Sequence, residues 1–217
     1  MATPFFPCHN QVVNPGSEVL VNWLPAAAGQ GEEELELLAR LHAAGLAVAP
    51  IMLVPPESQE NFYRYGNLVR LLSEVFEGVD PADADEDDLE ERAPEAMALI
   101  TGSYLLDEVI DDFYETVAGL PELRRVRRPG LAGMEARGQR ASLLAVKRMW
   151  AQDWSFEALT ERLADTATFR LEARPLLIHA ADVPATDRRL LEAVSATLGR
   201  PSAVHVSADG AITRLAD

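Results

Sequence analysis

Four carboxylate residues in the acidic middle of the chain have the spacing of a helical metal site. Asp88 and Glu91 are three residues apart, and so are Glu108 and Asp111. Because residues three apart lie on one face of a helix, each pair can present two carboxylates together. Mg²⁺ is commonly bound by such carboxylates together with substrate phosphates. The pattern therefore predicts a Mg²⁺ site that would serve a nucleotide or phosphoester hydrolase.

The placement of these carboxylate pairs on two helices resembles the helical nucleotide pyrophosphohydrolases of the MazG type, over residues 88–111. The resemblance implies an enzyme with the same four carboxylates as Mg²⁺ ligands. Asp88 stands where that family has Glu. The alternative is an exposed acidic helix face opposite the apolar positions Leu106, Phe113 and Val117, which needs no metal. Beyond Mg²⁺, no cofactor is predicted.

A histidine and an aspartate in the C-terminal part form a second candidate site. His179 ends a predicted strand, and Asp182 follows three residues later. Ligands of open α/β sheets sit beyond the carboxyl ends of the strands, where residues 25–31 and 55–59 would gather as well. The pair therefore predicts small-molecule binding at this edge. The alternative is a histidine that is hydrogen-bonded to local backbone.

The charge of the chain is concentrated in two neighbouring segments of opposite sign. The formal net charge is −16. Residues 77–122, here called the acidic segment, contain sixteen acidic residues and one basic residue, Arg92. Residues 123–148, the basic segment, contain eight basic residues and one acidic residue, Glu135. An acidic surface repels nucleic acid and anionic lipid, so neither is expected as a partner.

The basic segment begins with four arginines that are candidate interface residues: Arg124, Arg125, Arg127 and Arg128. In one interpretation, this stretch packs internally beside the acidic helix that precedes it. In the other, it meets an acidic protein partner or the acidic helix of a second copy of the chain. Nucleic-acid binding is disfavoured, because no aromatic residue lies between Tyr114 and Trp150 to stack on bases.

The apolar patterns predict an α/β or α+β fold in a single domain, residues 1–217. We expect one mixed sheet of about five strands, built from an N-terminal β-α-β unit and a C-terminal β-α-β-β unit. Residues 46–54 form an apolar run typical of a strand that is buried on both faces of a parallel sheet. Residues 58–170 are predicted to form a helical insertion. The Asp209-Gly210 dipeptide predicts a hairpin that pairs Ser207 with Ile212 and His205 with Arg214.

Several absences bear on location and function. Cys8 is the one cysteine, which excludes an intramolecular disulfide and fits a reducing cytosol. No apolar run reaches the roughly 18 residues of a membrane span, and the first ten residues lack a secretory signal. A bias toward arginine, with Lys147 as the single lysine, suggests a GC-rich bacterial genome.

Motifs for a catalytic nucleophile or a phosphate loop are missing. We therefore expect a bacterial cytosolic interaction or regulatory protein, with the hydrolase and the small-molecule binder as alternatives.

Overall fold

The computed structural model describes residues 21–22 and 33–216, and within them the chain is mixed α/β, as the sequence predicts. None of the helices in these ranges has the length and apolar character to cross a bilayer. The helices are α1 (Glu33–Ala43), α2 (Pro56–Tyr65), α3 (Leu68–Val75), α4 (Glu86–Gly102), α5 (Asp107–Val117), α6 (Gly138–Gln152), α7 (Phe156–Thr166) and α8 (Arg188–Leu198). The strands are β1 (Val21–Asn22), β2 (Ile51–Val54), β3 (Leu123–Arg127), β4 (Met134–Arg137), β5 (Leu176–Ala180), β6 (Asp182–Pro184), β7 (Ala203–Ser207) and β8 (Ile212–Ala216).

The larger sheet has five strands in the order β1-β2-β5-β3-β4, and every neighbouring pair is antiparallel. The predicted parallel β-α-β unit is therefore wrong: Val21 of β1 pairs with Leu53 of β2 in antiparallel register. The apolar run of β2 does reflect burial on both faces, since all four of its residues are buried. Two-sided burial is typical of parallel sheets, but an antiparallel strand covered on both faces has the same pattern.

Alternating residues of the central strands separate two hydrophobic cores. Met52 and Val54 of β2 point into a core shared with α2 to α7, here called the helical layer. Ile51 and Leu53 point to the opposite face, against α1, α8 and strands β7 and β8, here called the second layer. The five-stranded sheet thus lies in the middle of three layers, because side chains of a strand alternate between its faces.

The segment predicted as a helical insertion also supplies two strands of the sheet. Strand β3 lies between β5 and β4, and its register places Val126 opposite Ile178. Strand β4 also lies within this segment, and α6 begins directly after it at Gly138. Strand β3 has no recognisable strand pattern in the sequence, because three of its five residues are arginine. Buried arginines are stable in a central strand only where acceptors from the rest of the fold meet them.

The turn between β3 and β4 passes directly against the backbone of Arg127. Gly133 has φ +75°, and a Cβ atom added there would lie 2.3 Å from the Cβ of Arg127 and 2.8 Å from its Cα. Both the positive φ and this close approach require glycine. Gly133 therefore allows the turn to cover the strand that carries the arginines.

The C-terminal strands form a separate three-stranded sheet, β6-β7-β8, instead of extending the larger one. The predicted hairpin is present, and His205 pairs with Arg214 as expected. At the loop itself, however, Ser207 donates its N–H to the carbonyl of Ala211 and not to that of Ile212. The loop has three residues and ends at Gly210, which has φ +81°. A bulge between His205 and Val206 absorbs the shift and keeps the remaining register.

Candidate functional site

The arginines around β3 alternate between the two layers of the fold. Arg125 and Arg127 contact groups of the second layer, whereas Arg124 and Arg128 contact the ends of helices in the helical layer. This alternation follows from the pleat of the strand, which sends successive side chains to opposite faces. A single basic stretch therefore connects both layers to the sheet.

Arg127 and Glu34 form the centre of the network in the second layer. The Arg127 guanidinium donates through Nη1 and Nη2 to the two carboxylate oxygens of Glu34, at 2.7 and 2.8 Å. Glu34 also accepts the backbone N–H of Gly130 at 2.9 Å and that of Leu215 at 3.3 Å. One carboxylate thereby connects α1, β3, the following turn and β8. Such a two-pronged charged pair is among the strongest hydrogen-bonded contacts in proteins.

His179 is fully buried beside this pair in its neutral form. Its Nε2 atom accepts a hydrogen bond of 2.8 Å from Nε of Arg127, and its Nδ1–H donates to the carbonyl of Ala180 at 2.8 Å. Burial, reinforced by the positive charge of Arg127, lowers the pKa of His179 from 6.5 to about 4. Both ring nitrogens are occupied within the chain.

Asp182 closes the network at the start of the smaller sheet. Arg125 donates to its Oδ1 at 2.6 Å, while Arg214 and Thr213 donate to its Oδ2 at 3.0 and 3.1 Å. Burial alone would raise the pKa of this carboxyl. His179 when it is protonated, the guanidinium groups of Arg125 and Arg214 and the hydroxyl of Thr213 outweigh that effect, and the pKa is lowered. Asp182 therefore connects β3 of one sheet to β8 of the other.

These contacts show how the structure uses His179 and Asp182, the residues of the second predicted site. The structure places His179 and Asp182 in one network, since Arg127 of β3 donates to His179 and Arg125 of β3 donates to Asp182. Both are buried, and their polar atoms are engaged by protein groups. The expected gathering of strand ends assumed parallel strands, whereas β2 and β5 run antiparallel. Residues 25–31 of that expected edge lie outside the described residues.

A second buried network lies in the helical layer around Asp153, at the end of α6. Its Oδ2 accepts from Arg128 at 2.5 Å and from Nε2 of Gln59 at 2.8 Å. Close by, the indole N–H of Trp154 donates to the Tyr63 hydroxyl at 2.8 Å. Burial and the charge of Asp153 raise the pKa of Tyr63, so the phenol stays neutral. Neither Asp153 nor Gln59 stood out in the sequence, because nothing local marks a lone polar residue in an apolar pattern as buried.

Two further cations of the basic segment bind carbonyl groups where helices end. Arg124 donates to the carbonyls of Pro121 at 2.7 Å and Leu120 at 3.2 Å, just beyond α5. Lys147 donates to the carbonyl of Thr101 at 2.8 Å and to that of Ser103, at the end of α4. Positive groups are favoured at this end of a helix dipole. Burial lowers the pKa of Lys147.

The four arginines named as interface candidates are therefore internal. Arg124, Arg127 and Arg128 are buried, and Arg125 is half-buried. Part of the basic segment does lie beside the acidic helices, since Arg124 donates to carbonyls just beyond α5 and α6 packs on α4 and α5. The carboxylates that the four arginines meet are Glu34, Asp153, Asp182 and Glu135, none of which belongs to the acidic segment.

The four candidate metal ligands are not brought together. Asp88 and Glu91 lie on α4, Glu108 and Asp111 lie on α5, and all four are exposed. Among the described residues, no group of three or more His, Cys, Asp or Glu side chains is placed to hold a metal ion. Both helices pack on α6 through their apolar sides, which leaves the carboxylates facing water. The geometry matches the alternative of an exposed acidic face.

That acidic face is the largest unpaired charge on the described surface. All sixteen acidic residues of the acidic segment are exposed. Within residues 33–216, one of them has an ion pair: Glu122 lies 3.7 Å from the exposed Arg137. The same stretch presents two exposed apolar side chains between α4 and α5, namely Tyr104 and Leu106.

A scan against protein-family models and a search of curated proteins find no match to this chain.

Proposed function

We propose that this protein is a cytosolic interaction protein whose acidic segment binds a basic surface of another polypeptide. The observation that carries the proposal is the contrast in exposure between the two charged segments. All sixteen acids of the acidic segment face water, whereas Arg124, Arg125, Arg127 and Arg128 bind groups inside the fold. Fifteen of these sixteen carboxylates, all but Glu122, have no ion pair with a residue that the structure describes, so their charge is available to a partner.

The acidic segment, and not the basic one, is therefore the surface that a partner would bind. The basic segment no longer offers the four arginines 124, 125, 127 and 128 to an acidic partner, because their guanidinium groups are bound internally. A complementary partner must then be the one that brings the cations. Opposite potentials steer two proteins together and set their orientation more than they add raw affinity. We expect fast, salt-sensitive binding.

The two alternatives find less support. A Mg²⁺-dependent hydrolase needs carboxylates that converge on the ion, and these four are exposed and dispersed on two helices. A small-molecule site at His179 and Asp182 needs free polar atoms, and theirs are engaged by protein groups.

A labelled oligolysine peptide tests the proposal by fluorescence anisotropy at low and physiological salt. The test variant neutralises four acids of α5 with isosteric amides: Asp107→Asn, Glu108→Gln, Asp111→Asn and Asp112→Asn. We expect wild-type binding that weakens with salt, and a further loss of about tenfold in the variant, which corresponds to about 1.4 kcal/mol.

A matched control removes the same number of charges outside the acidic segment. Glu36, Glu57, Glu60 and Glu172 are exposed, and each can be changed to Gln. If the peptide responds only to the net charge of the chain, both variants weaken binding equally, and the proposal fails. It also fails if wild-type protein does not bind the peptide at low salt.

A further inference from the structure

The connection between α4 and α5 presents an aromatic ring to solvent. Tyr104 is 94% exposed and Leu106 is 48% exposed. Ser103, which precedes Tyr104, and Leu105, which lies between the two, are half-buried. Ser103 and Leu106 both have extended backbone angles. Because Tyr104 and Leu106 are exposed and Leu105 between them is half-buried, the two exposed side chains lie on the outer side of this connection.

The connection is held on both sides of the ring. The Ser103 hydroxyl donates to the carbonyl of Leu99 at 2.7 Å, and its carbonyl accepts from Lys147. On the other side, Leu105 packs against the core of the helical layer. Tyr104 is thus presented by fixed neighbours, and a partner that contacts it need not order the backbone first. Pre-organisation of this kind reduces the entropy lost on binding.

The chain that directly follows the ring is acidic. Asp107 and Glu108 occupy the first turn of α5, immediately after Leu106, and Asp111 and Asp112 follow in the next turn. Arg140 and Arg148 of α6 are exposed, and within the described ranges neither forms an ion pair with an acid of α5. An exposed tyrosine beside unpaired carboxylates is complementary in charge to a cation that also offers a flat face.

We propose that Tyr104 anchors the partner of the acidic segment by taking an arginine side chain of that partner over its ring. Cations flanking this arginine in the partner then pair with Asp107 and Glu108. The occupant is a basic, arginine-bearing polypeptide segment. This inference rests on the proposed function, and it adds which residue selects the partner and which cation is preferred.

Arginine is specified by the geometry of its side chain. Its planar guanidinium stacks on an aromatic face and can still donate edge-on to carboxylates, whereas a lysine ammonium is a compact and strongly hydrated point charge. Aromatic–cation contacts at exposed sites are weak individually, so the effect is a preference superimposed on the electrostatic attraction. The acidic face sets the affinity and the ring sets the selectivity.

Paired oligoarginine and oligolysine peptides of equal length and label test the anchor. We expect wild-type protein to prefer oligoarginine. Tyr104→Ala is expected to weaken oligoarginine binding about threefold and to leave oligolysine binding nearly unchanged, whereas Tyr104→Phe keeps the preference. Tyr65→Ala is the matched control, since Tyr65 is 50% exposed on α2 and lies under Arg64 of the same chain. That control should bind both peptides as wild type does.

The outcomes separate this inference from the proposed function. If oligolysine and oligoarginine both bind and Tyr104→Ala weakens them equally or not at all, the anchor is wrong while the acidic surface stands. If neither peptide binds, both fail. Sedimentation of the protein alone tests a second copy as occupant, through the exposed α6 residues Arg140, Leu144 and Arg148. Self-association abolished by Arg140→Glu and Arg148→Glu, without an arginine preference, would overturn the proposal.

Discussion

The acidic and basic segments are adjacent in sequence and opposite in charge, yet the fold uses them in opposite ways. The acidic segment places all sixteen carboxylates on the surface, while the basic segment turns Arg124, Arg125, Arg127, Arg128 and Lys147 inward. A run of like charges in a sequence is therefore not necessarily exposed to solvent in the folded protein. Long cations with several donors can connect buried carboxylates and carbonyls, whereas carboxylates without a cation nearby stay in water.

The two regions should therefore differ in what a mutation does. The inward-facing guanidinium groups of Arg124, Arg125, Arg127 and Arg128 bind acceptors inside the fold, so removing one leaves desolvated groups without partners. In the acidic segment, a carboxylate interacts mostly with water, and its removal mainly changes the long-range field. Stability should respond to the first region and binding to the second.

The largest expected effect is that of Arg127→Ala, which leaves Glu34 and His179 without their central donor. Breaking a buried ion pair from one side is strongly destabilising, and we expect the free energy of unfolding to fall by about 3–5 kcal/mol. Urea denaturation followed by circular dichroism measures it. Arg140→Ala is the matched control, because Arg140 is exposed on α6 and should change the same quantity by less than about 0.5 kcal/mol.

Equal and small effects of these two substitutions would show that the basic segment behaves like the acidic one. The buried contacts of Arg127 would then contribute little to the free energy of unfolding, and the expected difference between the two segments would be wrong. Arg127→Lys refines the result, since lysine keeps the charge but cannot bind both oxygens of Glu34 and His179 together. It should lie between the other two variants.

An intermediate effect concerns the pH dependence of stability. His179 has its pKa lowered from 6.5 to about 4 by burial and by Arg127. Between these values, the unfolded chain binds a proton that the folded chain does not. Stability from the neutral His179 is therefore complete above pH 6.5 and is lost as the pH falls toward 4, by up to about 1.4 kcal/mol per pH unit.

His179→Gln isolates this contribution, because the Gln oxygen can still accept from Arg127 but does not titrate. We expect lower stability at neutral pH and a flatter decline between pH 6.5 and 4 than in wild type. Urea midpoints across this range give the comparison. Parallel pH profiles would mean that His179 titrates normally in the folded protein, against its buried placement.

The smallest expected effect is in the acidic segment. The combined variant Asp88→Asn, Glu91→Gln, Glu108→Gln and Asp111→Asn removes four exposed charges and should change the free energy of unfolding by less than about 1 kcal/mol. Because these carboxylates do not converge, added Mg²⁺ should leave the thermal midpoint of both proteins unchanged. A rise with Mg²⁺ in wild type that disappears in the variant would restore the metal site and the hydrolase.

Elements that depend on a local sequence pattern were predictable. The apolar run ending at Val54, the helix of α8 and the hairpin at Gly210 follow from periodicity and turn chemistry. The missing strands have a different cause. Strand β3 has three arginines in five residues, and only partners more than 50 residues away, such as His179 and Glu34, make that sequence stable in a sheet.

The candidate site was predictable in composition and not in arrangement. The charge blocks are visible in the sequence, and so are the exposed acidic helices opposite an apolar stripe. His179 and Asp182 can be singled out in the sequence as a candidate pair, but their contacts could not be foreseen, because these come from the distant groups Arg127, Arg125 and Thr213. Tyr104 carried no signal, since exposure of one aromatic residue depends on how its neighbours are held.

Residues close together in the chain were enough to predict the mixed α/β class, the hairpin at Gly210 and the concentration of negative charge in residues 77–122. Only the tertiary structure decided that the sheets are antiparallel, that β3 is central and that its arginines are internal. Burial of a charge depends on whether an opposite charge from elsewhere in the fold arrives beside it. For Arg127 that partner is Glu34, 93 residues away, and for the carboxylates of α4 and α5 no described residue takes that place.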